Sequence, residues 1–545
     1  MADDKRTKNA GPKLNRRDAL KGLATVPVAG AFLAGASTKL GQEAAARDEA
    51  FARKQIILDE LGVTASPPLP GGPMTGDPVR VGVIGFGIRG EQLARALGFA
   101  TTDWIDEMRK GAEQNPNDTR LADFQAQEDL NVQFAAVSDA FDLHRDRGVA
   151  AGSRDGVTTK NYRDYRALLD DPDIDAVVIA TPDHWHAKMA MDALAAGKHV
   201  YVEKCMTHKI GETYALYDAV KASDRVFQVG HQHRQTQSFV TAREIVRKNV
   251  LGHISLVQTN TNRNDDNGAW QYYIHPDANP DTVDWDGFLG PAPKIPFNAE
   301  HFFRWRKWWP YGTGLTGDLL THDYDRINCL LEMGIPKYCS ASGGIYTHRD
   351  GRTVPDVLQV VMEYPDFLMG SSQEPGKERG MSFVYSATLG NQYHRGTLLM
   401  GHDATLELGN ELKVRAEATS TRYRDLIEDG VIDLNVPMYA YDPSGGGGVD
   451  AVTGATAKYF ADKGLLYTYR DGKRVDSTFL HLREWLSGIR NGEPVSCGIE
   501  EGFDEAISAH MSCIAVRLGK RVEWDRENRR LVNVSDDELE SLGMT

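Results

Sequence analysis

Along the first part of the chain, short apolar runs alternate with stretches of helical period. Further on, strand-like runs follow one another directly. The early runs are residues 79–84, 132–137, 176–180, 199–202 and 226–229, with helical character at 162–169 and 187–196 between them. That alternation predicts a parallel sheet with helices on its faces. After about residue 230 the runs are 253–262, 357–364, 382–388, 397–400 and 405–408. Successive strands joined by turns predict an antiparallel sheet. Residues 479–490 and 503–518 read as helices. Residues 102–129 are polar, carry Asn115-Pro116-Asn117-Asp118, and read as an insertion after the first helix. The glycines of 445–448 read as a flexible loop.

The first apolar run feeds directly into Gly85-Phe86-Gly87-Ile88-Arg89-Gly90. A strand, a tight G-x-G-x-x-G turn and a helix start hold a dinucleotide's pyrophosphate against backbone N–H groups. An acidic residue ending the second strand then meets the adenosine ribose. Asp139 is placed for that, 49 residues beyond Gly90. The usual distance is about 20 residues, and the insertion accounts for the excess. A carboxylate there repels a 2′-phosphate and favours NAD, while nearby Arg145 keeps NADP open. The alternative for Asp139 is a helix cap.

Two more motifs fall at the carboxyl edge of this sheet, where ligands bind in such folds. They are Ala180-Thr181-Pro182-Asp183-His184-Trp185-His186 and Glu203-Lys204-Cys205. In the run 314–325, Asp318, His322 and Asp325 would share one helix face, while Leu319, Leu320 and Ile327 turn to the core. Together these motifs resemble the Gfo/Idh/MocA oxidoreductases, a resemblance that runs from Val79 to Asp525. It implies an α/β protein. A Rossmann NAD(P)-binding domain over 77–230 would precede a C-terminal α/β domain over 231–545 with a large open, mainly antiparallel sheet. That second domain would bind substrate and assemble a homodimer or homotetramer. The resemblance also implies a catalytic lysine, matched by Lys204, with Cys205 where the family has proline. Its Asp/His pair is matched by Asp318 and His322.

Oxidising a sugar carbinol requires a base for the hydroxyl proton while hydride leaves for the nicotinamide. His322 can take that proton near neutral pH, oriented by Asp318. Lys204 would hold the hydroxyl and stabilise the developing oxygen charge. Cofactor contacts are expected from Gly85, Phe86, Gly87, Ile88, Arg89, Gly90, Asp139, Thr181, Pro182, His184, His186, Glu203 and Lys204. Substrate contacts are expected from Lys204, Arg304, Trp305, Asp318 and His322. Five of the nine tryptophans lie between residues 270 and 309, and sugar C–H faces pack on aromatic rings. Arg304 or Arg306 can hold hydroxyls or a carboxylate. The pairs His184/His186 and His231/His233 have no cluster of carboxylates or cysteines at ligand spacing, so no metal is expected.

Residues 1–36 join Asn15-Arg16-Arg17-Asp18-Ala19-Leu20-Lys21 to a short apolar stretch and Ala34-Gly35-Ala36. That order predicts a twin-arginine signal peptide, hence the twin-arginine translocation machinery as a partner and a periplasmic or extracellular location. Residues 37–76 read as a helix and a Pro/Gly linker. The formal net charge of −15 argues against nucleic acid as a partner. Five cysteines without a C-x-x-C argue against a disulfide framework. Export changes the reading of the glycine turn. Nicotinamide nucleotides are cytoplasmic currency, so an exported protein must carry its NAD or NADP tightly bound and recycle it in place. The expected function is an exported NAD(P)-dependent oxidoreductase acting on CH–OH groups of a sugar, glycoside or sugar derivative. The rival is an NAD-dependent glycoside hydrolase or lyase working by transient oxidation.

Overall fold

The computed structural model describes residues 70–116, 118–154, 156–367, 379–393, 395–409, 412–441, 467–470 and 473–545. The expected signal peptide, most of the 37–76 segment and the glycine loop 445–448 lie outside the described residues.

Six parallel strands form the first sheet: β1 (Val79–Ile84), β2 (Val132–Ser138), β3 (Lys160–Tyr162), β4 (Ala176–Ile179), β5 (His199–Val202) and β6 (Phe227–Val229). Their order is β3-β2-β1-β4-β5-β6, which puts the switch in strand direction of travel between β1 and β4. β4 is buried at every position, because helices cover both faces; this is why its run is continuous rather than alternating. Helix α1 (Ile88–Ala96) follows β1, and α2 (Asp183–Ala195) follows β4. The polar insertion folds into two helices, Thr102–Gln114 and Arg120–Gln125. The helix expected from 162 starts only at Tyr165, capped by Asp164, because Lys160–Tyr162 pairs as an edge strand on β2. That pairing is long-range, so local period could not reveal it.

The second sheet has the order β14-β13-β12-β11-β7-β10-β9-β8-β17-β18 among the described residues. Its strands are β7 (Ile254–Asn262), β8 (Tyr338–Gly344), β9 (Val357–Tyr364), β10 (Met381–Thr388), β11 (Thr397–Gly401), β12 (Ala404–Leu408), β13 (Leu412–Ala416), β14 (Tyr439–Tyr441), β17 (Val522–Asp525) and β18 (Arg530–Leu531). Between these in sequence, β15 (Tyr467–Arg470) and β16 (Lys473–Asp476) form a separate hairpin. The large sheet is mainly antiparallel, with β7 and β10 pairing parallel at its centre. β10 alternates between buried and half-buried positions along its whole length, so one face is covered and the other is open.

Two helices lie against the covered face, and a third returns to the first sheet. α3 (Thr321–Leu331) and α5 (Ile499–Leu518) present buried Ile327, Leu330, Ile507 and Ile514. α4 (Ser477–Asn491) returns to the first sheet, where Phe479, Leu480, Leu482, Trp485 and Leu486 pack with Val81, Leu93 and Tyr201. The parallel sheet is thus completed by a helix from the far end of the chain.

Candidate active site

The glycine turn sits at the carboxyl edge of β1. Gly85 has φ +88°, and a Cβ there would lie 2.6 Å from the Ala180 carbonyl oxygen, so only glycine brings the turn this close to β4. Gly87 precedes α1, and a Cβ there would meet nothing nearer than His144 Cε1 at 3.8 Å. The start of α1 has no side-chain cap, which leaves its first N–H groups for a pyrophosphate. Asp139 closes the turn from β2. Its Oδ2 accepts from Phe86 N at 2.7 Å and its Oδ1 from Phe141 N at 2.8 Å. Burial alone would raise its pKa, but His144 and those two N–H groups outweigh it and hold the carboxylate ionised. These groups fit a dinucleotide: glycine where the phosphates approach, an ionised acid where the ribose lies. Arg145 is spent on the Asp139 carbonyl, Asp142 and Asn161.

Several expected cofactor contacts turn out to be internal. Phe86 is wholly buried beside Phe134, whereas Ile88 is 61% exposed. Arg89 Nε donates to Glu203 Oε1 at 2.8 Å and its Nη2 to Gln232 at 2.9 Å, so this arginine ties the glycine turn to the lysine loop. His184 Nε2 donates to the Phe288 carbonyl at 2.9 Å, and burial lowers its pKa to about 3. His186 faces the Cys205 and Thr181 carbonyls, each at 2.7 Å. Both histidines are buried and brace the loops instead of lining the cleft. Thr181 and Pro182 stay at the sheet edge, with Thr181 N against Gly85.

Lys204 follows β5, and its peptide bond to Cys205 is cis. Lys204 Nζ donates to Asp318 Oδ1 at 2.9 Å and to the Asp318 carbonyl at 2.8 Å. Asp318 lies on a single π-helical turn, Thr316–Leu320, that precedes α3. Gly317 lets that turn approach: a Cβ there would fall 1.8 Å from Thr313 Oγ1 and 3.0 Å from Cys205 Sγ. Arg306 Nε also donates to Asp318 Oδ1, at 2.9 Å, and Trp270 Nε1 donates to Oδ2 at 3.0 Å. Burial would raise the Asp318 pKa; Lys204, Arg306 and Arg263 together push it far below the usual carboxylate range. Lys204 is held protonated, its burial outweighed by Asp318.

Asp318 therefore serves the lysine. It sits on the π-turn, and its carboxylate accepts from Lys204, Arg306 and Trp270, where the sequence had it orienting His322. The His322 ring meets His231 and His233 edge-on, with centroids 5.8 and 5.4 Å away. Burial, Lys204 and the two histidines push its pKa well below the ordinary value. Asp325 turns away as well, to Arg234 at 2.6 Å and His231 at 3.6 Å; His231 in turn donates to Glu505 at 2.7 Å.

Arg304 and Trp305 stand apart from the expected substrate role. Arg304 donates to the Tyr272 carbonyl and to Glu300. Trp305 lies beneath Arg306, whose guanidinium is 4.1 Å from the ring centroid. Arg306 is the arginine that shares Asp318 with the lysine; Trp270 donates to the same carboxylate and Arg263 adds to its field. No periodicity marks these three, because they sit in the irregular segment between β7 and the π-turn. Among the described residues no group of three or more His, Cys, Asp or Glu is arranged to hold a metal ion.

A glycine turn at the switch point, an acid on β2 and a lysine on the same edge define a dinucleotide-binding α/β protein. Residues 79–231 match the Gfo/Idh/MocA family, described as an oxidoreductase family with an NAD-binding Rossmann fold. This part of the chain is similar to that family. Levoglucosan dehydrogenase of Pseudarthrobacter phenanthrenivorans is 30% identical over 236 residues, covering 40% of this chain and 53% of that protein. An α-N-acetylgalactosaminidase of Shewanella oneidensis is 27% identical over 175 residues, covering 30% and 38%. The chain thus spans about half the length of the first of these relatives and less of the second. A solved levoglucosan dehydrogenase in complex with NADH and L-sorbose shares the fold, with TM-score 0.53 and 17% identity over 82% of this chain and 98% of that one.

Proposed function

We propose that this protein is an exported oxidoreductase that acts on a CH–OH group of a sugar, glycoside or sugar derivative with a tightly held, internally recycled NAD. The observation that carries the reading is the Lys204–Asp318 pair at 2.9 Å on the sheet edge that also carries the glycine turn. A bound nicotinamide supplies the hydride acceptor. Lys204, kept charged by Asp318, holds the substrate hydroxyl and stabilises oxygen charge as it develops. His322, kept neutral by burial and its cationic neighbours, takes the proton. NAD is favoured over NADP because Asp139 is ionised and Arg145 is already engaged.

The test is to denature the freshly purified protein and to analyse the released small molecules. NAD at close to one per chain supports the reading; a protein that releases none and binds none added overturns it. A second reading, glycoside cleavage through transient oxidation, is favoured by the similarity to the α-N-acetylgalactosaminidase. Aryl glycosides separate the two, since only the second releases the aglycone without net cofactor reduction. We assign self-association as a dimer or tetramer to the open face of the large sheet, around Gln258, Val384 and Ser386.

A further inference from the structure

The cleft around Lys204 holds more positive charge than the reaction uses. Lys204 and Arg306 share one carboxylate oxygen, Oδ1 of Asp318. Arg263, just past the end of β7, adds a third cation: it acts on Asp318, Asp323 and Tyr385, and its Nε is buried with no hydrogen-bond partner. The carboxylates facing Lys204 and Arg306 are Asp318 and Asp183. Asp183 is buried and already accepts from Thr313 N and Thr313 Oγ1 at 3.0 and 2.7 Å. Asp323 is matched by Arg326.

The next layer repeats the excess. Lys307, Arg304 and Arg352 share only Glu300 and Asp350. Arg352 stands 5.9 Å over the ring of Trp270, the residue that donates to Asp318, and its Nη1 is buried without a partner. Arg306 is the one placed to use this excess. Its Nε is tied to Asp318 and its plane rests on Trp305, so the guanidinium is held in orientation. A quarter of its side chain is exposed (25%). A fixed guanidinium edge matches a carboxylate through two parallel hydrogen bonds.

We propose that the substrate is an acidic sugar, a uronide or sugar acid, whose carboxylate is bound by the terminal nitrogens of Arg306 in the field of Arg263 and Lys204. This rests on the oxidoreductase reading of the site. The experiment uses the purified holoprotein and matched pairs of methyl hexosides and methyl hexuronides, following reduction of the bound nucleotide by its absorbance in single turnover. The uronide of at least one pair should react with a second-order constant about tenfold or more above its neutral partner, a factor within the range of one charge-assisted contact. Its advantage should shrink with added salt. Arg306→Leu should abolish the preference, and Arg263→Gln should weaken it while leaving nucleotide retention unchanged. If neutral sugars reduce the nucleotide as well as or better than their uronides, the acidic-substrate assignment falls and the oxidoreductase reading stands. If no sugar of either series does so, both fall.

Discussion

At the scale of single residues, the central fact is that one carboxylate organises two cations. Replacing Asp318 by Asn leaves Lys204 and the half-buried Arg306 without their shared carboxylate. We expect a stability loss of about 3 kcal/mol by chemical denaturation, the usual consequence of breaking a buried pair from one side, and loss of turnover beyond what unfolding explains. The pH dependence of this pair has a definite sign. The folded-state pKa of Asp318 is depressed, so its contribution is complete above the ordinary carboxylate range and fades only as pH falls through it toward the folded value. Stability should therefore show no loss from this group between pH 8 and about pH 5. His322 is also displaced downward, so it remains a neutral base where a free histidine would be protonated. The single-turnover rate should not fall by half near pH 6.5, where an ordinary histidine titrates. A limb at that pH that disappears in His322→Gln would show that the ring titrates normally. Lys204→Met and His322→Ala should each slow sugar oxidation at least about a hundredfold while the nucleotide stays bound.

At the scale of elements, two helices from the end of the chain hold the molecule together and can be tested separately. Trp485 on α4 is fully buried against the parallel sheet, so Trp485→Ala should cost about 3–5 kcal/mol in an unfolding titration. On α5, Asp504 has its pKa raised to about 6, first by burial and then by Glu501 and Glu500. Its folded value lies above its unfolded one, so the cost of ionising it accumulates as pH rises from the ordinary carboxylate range to about 6 and is complete above that. Asp504→Asn should then stabilise the protein by about 2 kcal/mol at pH 8 and by little at pH 4. The main elements were legible in the sequence. The runs at 357–364 and 382–388 fall on β9 and β10 because one face of each strand is buried and one is open. β3, β8 and β17 escaped notice because each is short or weakly apolar and is stabilised by the strand beside it. The π-turn at Thr316–Leu320 escaped for a similar reason: nothing in its composition distinguishes it from the start of α3.

At the scale of the whole molecule, the parallel sheet needs α4 to cover it and the lysine needs Asp318 to keep it charged, so neither half of the chain carries the site alone. Removal of residues 231–545 should leave a fragment that does not fold cooperatively, as measured by thermal melting with and without added NAD. Self-association through the open sheet face should give a concentration-dependent mass by sedimentation, and Val384→Asp should reduce it.

The sequence by itself pointed to the glycine turn and its partner acid, because each directly follows an apolar strand run of one βαβ path, even with an insertion between them. It offered Lys204, Asp318 and His322 as candidates through the resemblance of their short motifs to the Gfo/Idh/MocA pattern. Tertiary structure alone decided how those candidates pair. It gave Asp318 to Lys204 and Arg306, left His322 among other histidines, and turned His184 and His186 into braces. Which side chains share a charge depends on distances across elements 114 residues apart, as between Lys204 and Asp318, and no local pattern encodes such a distance.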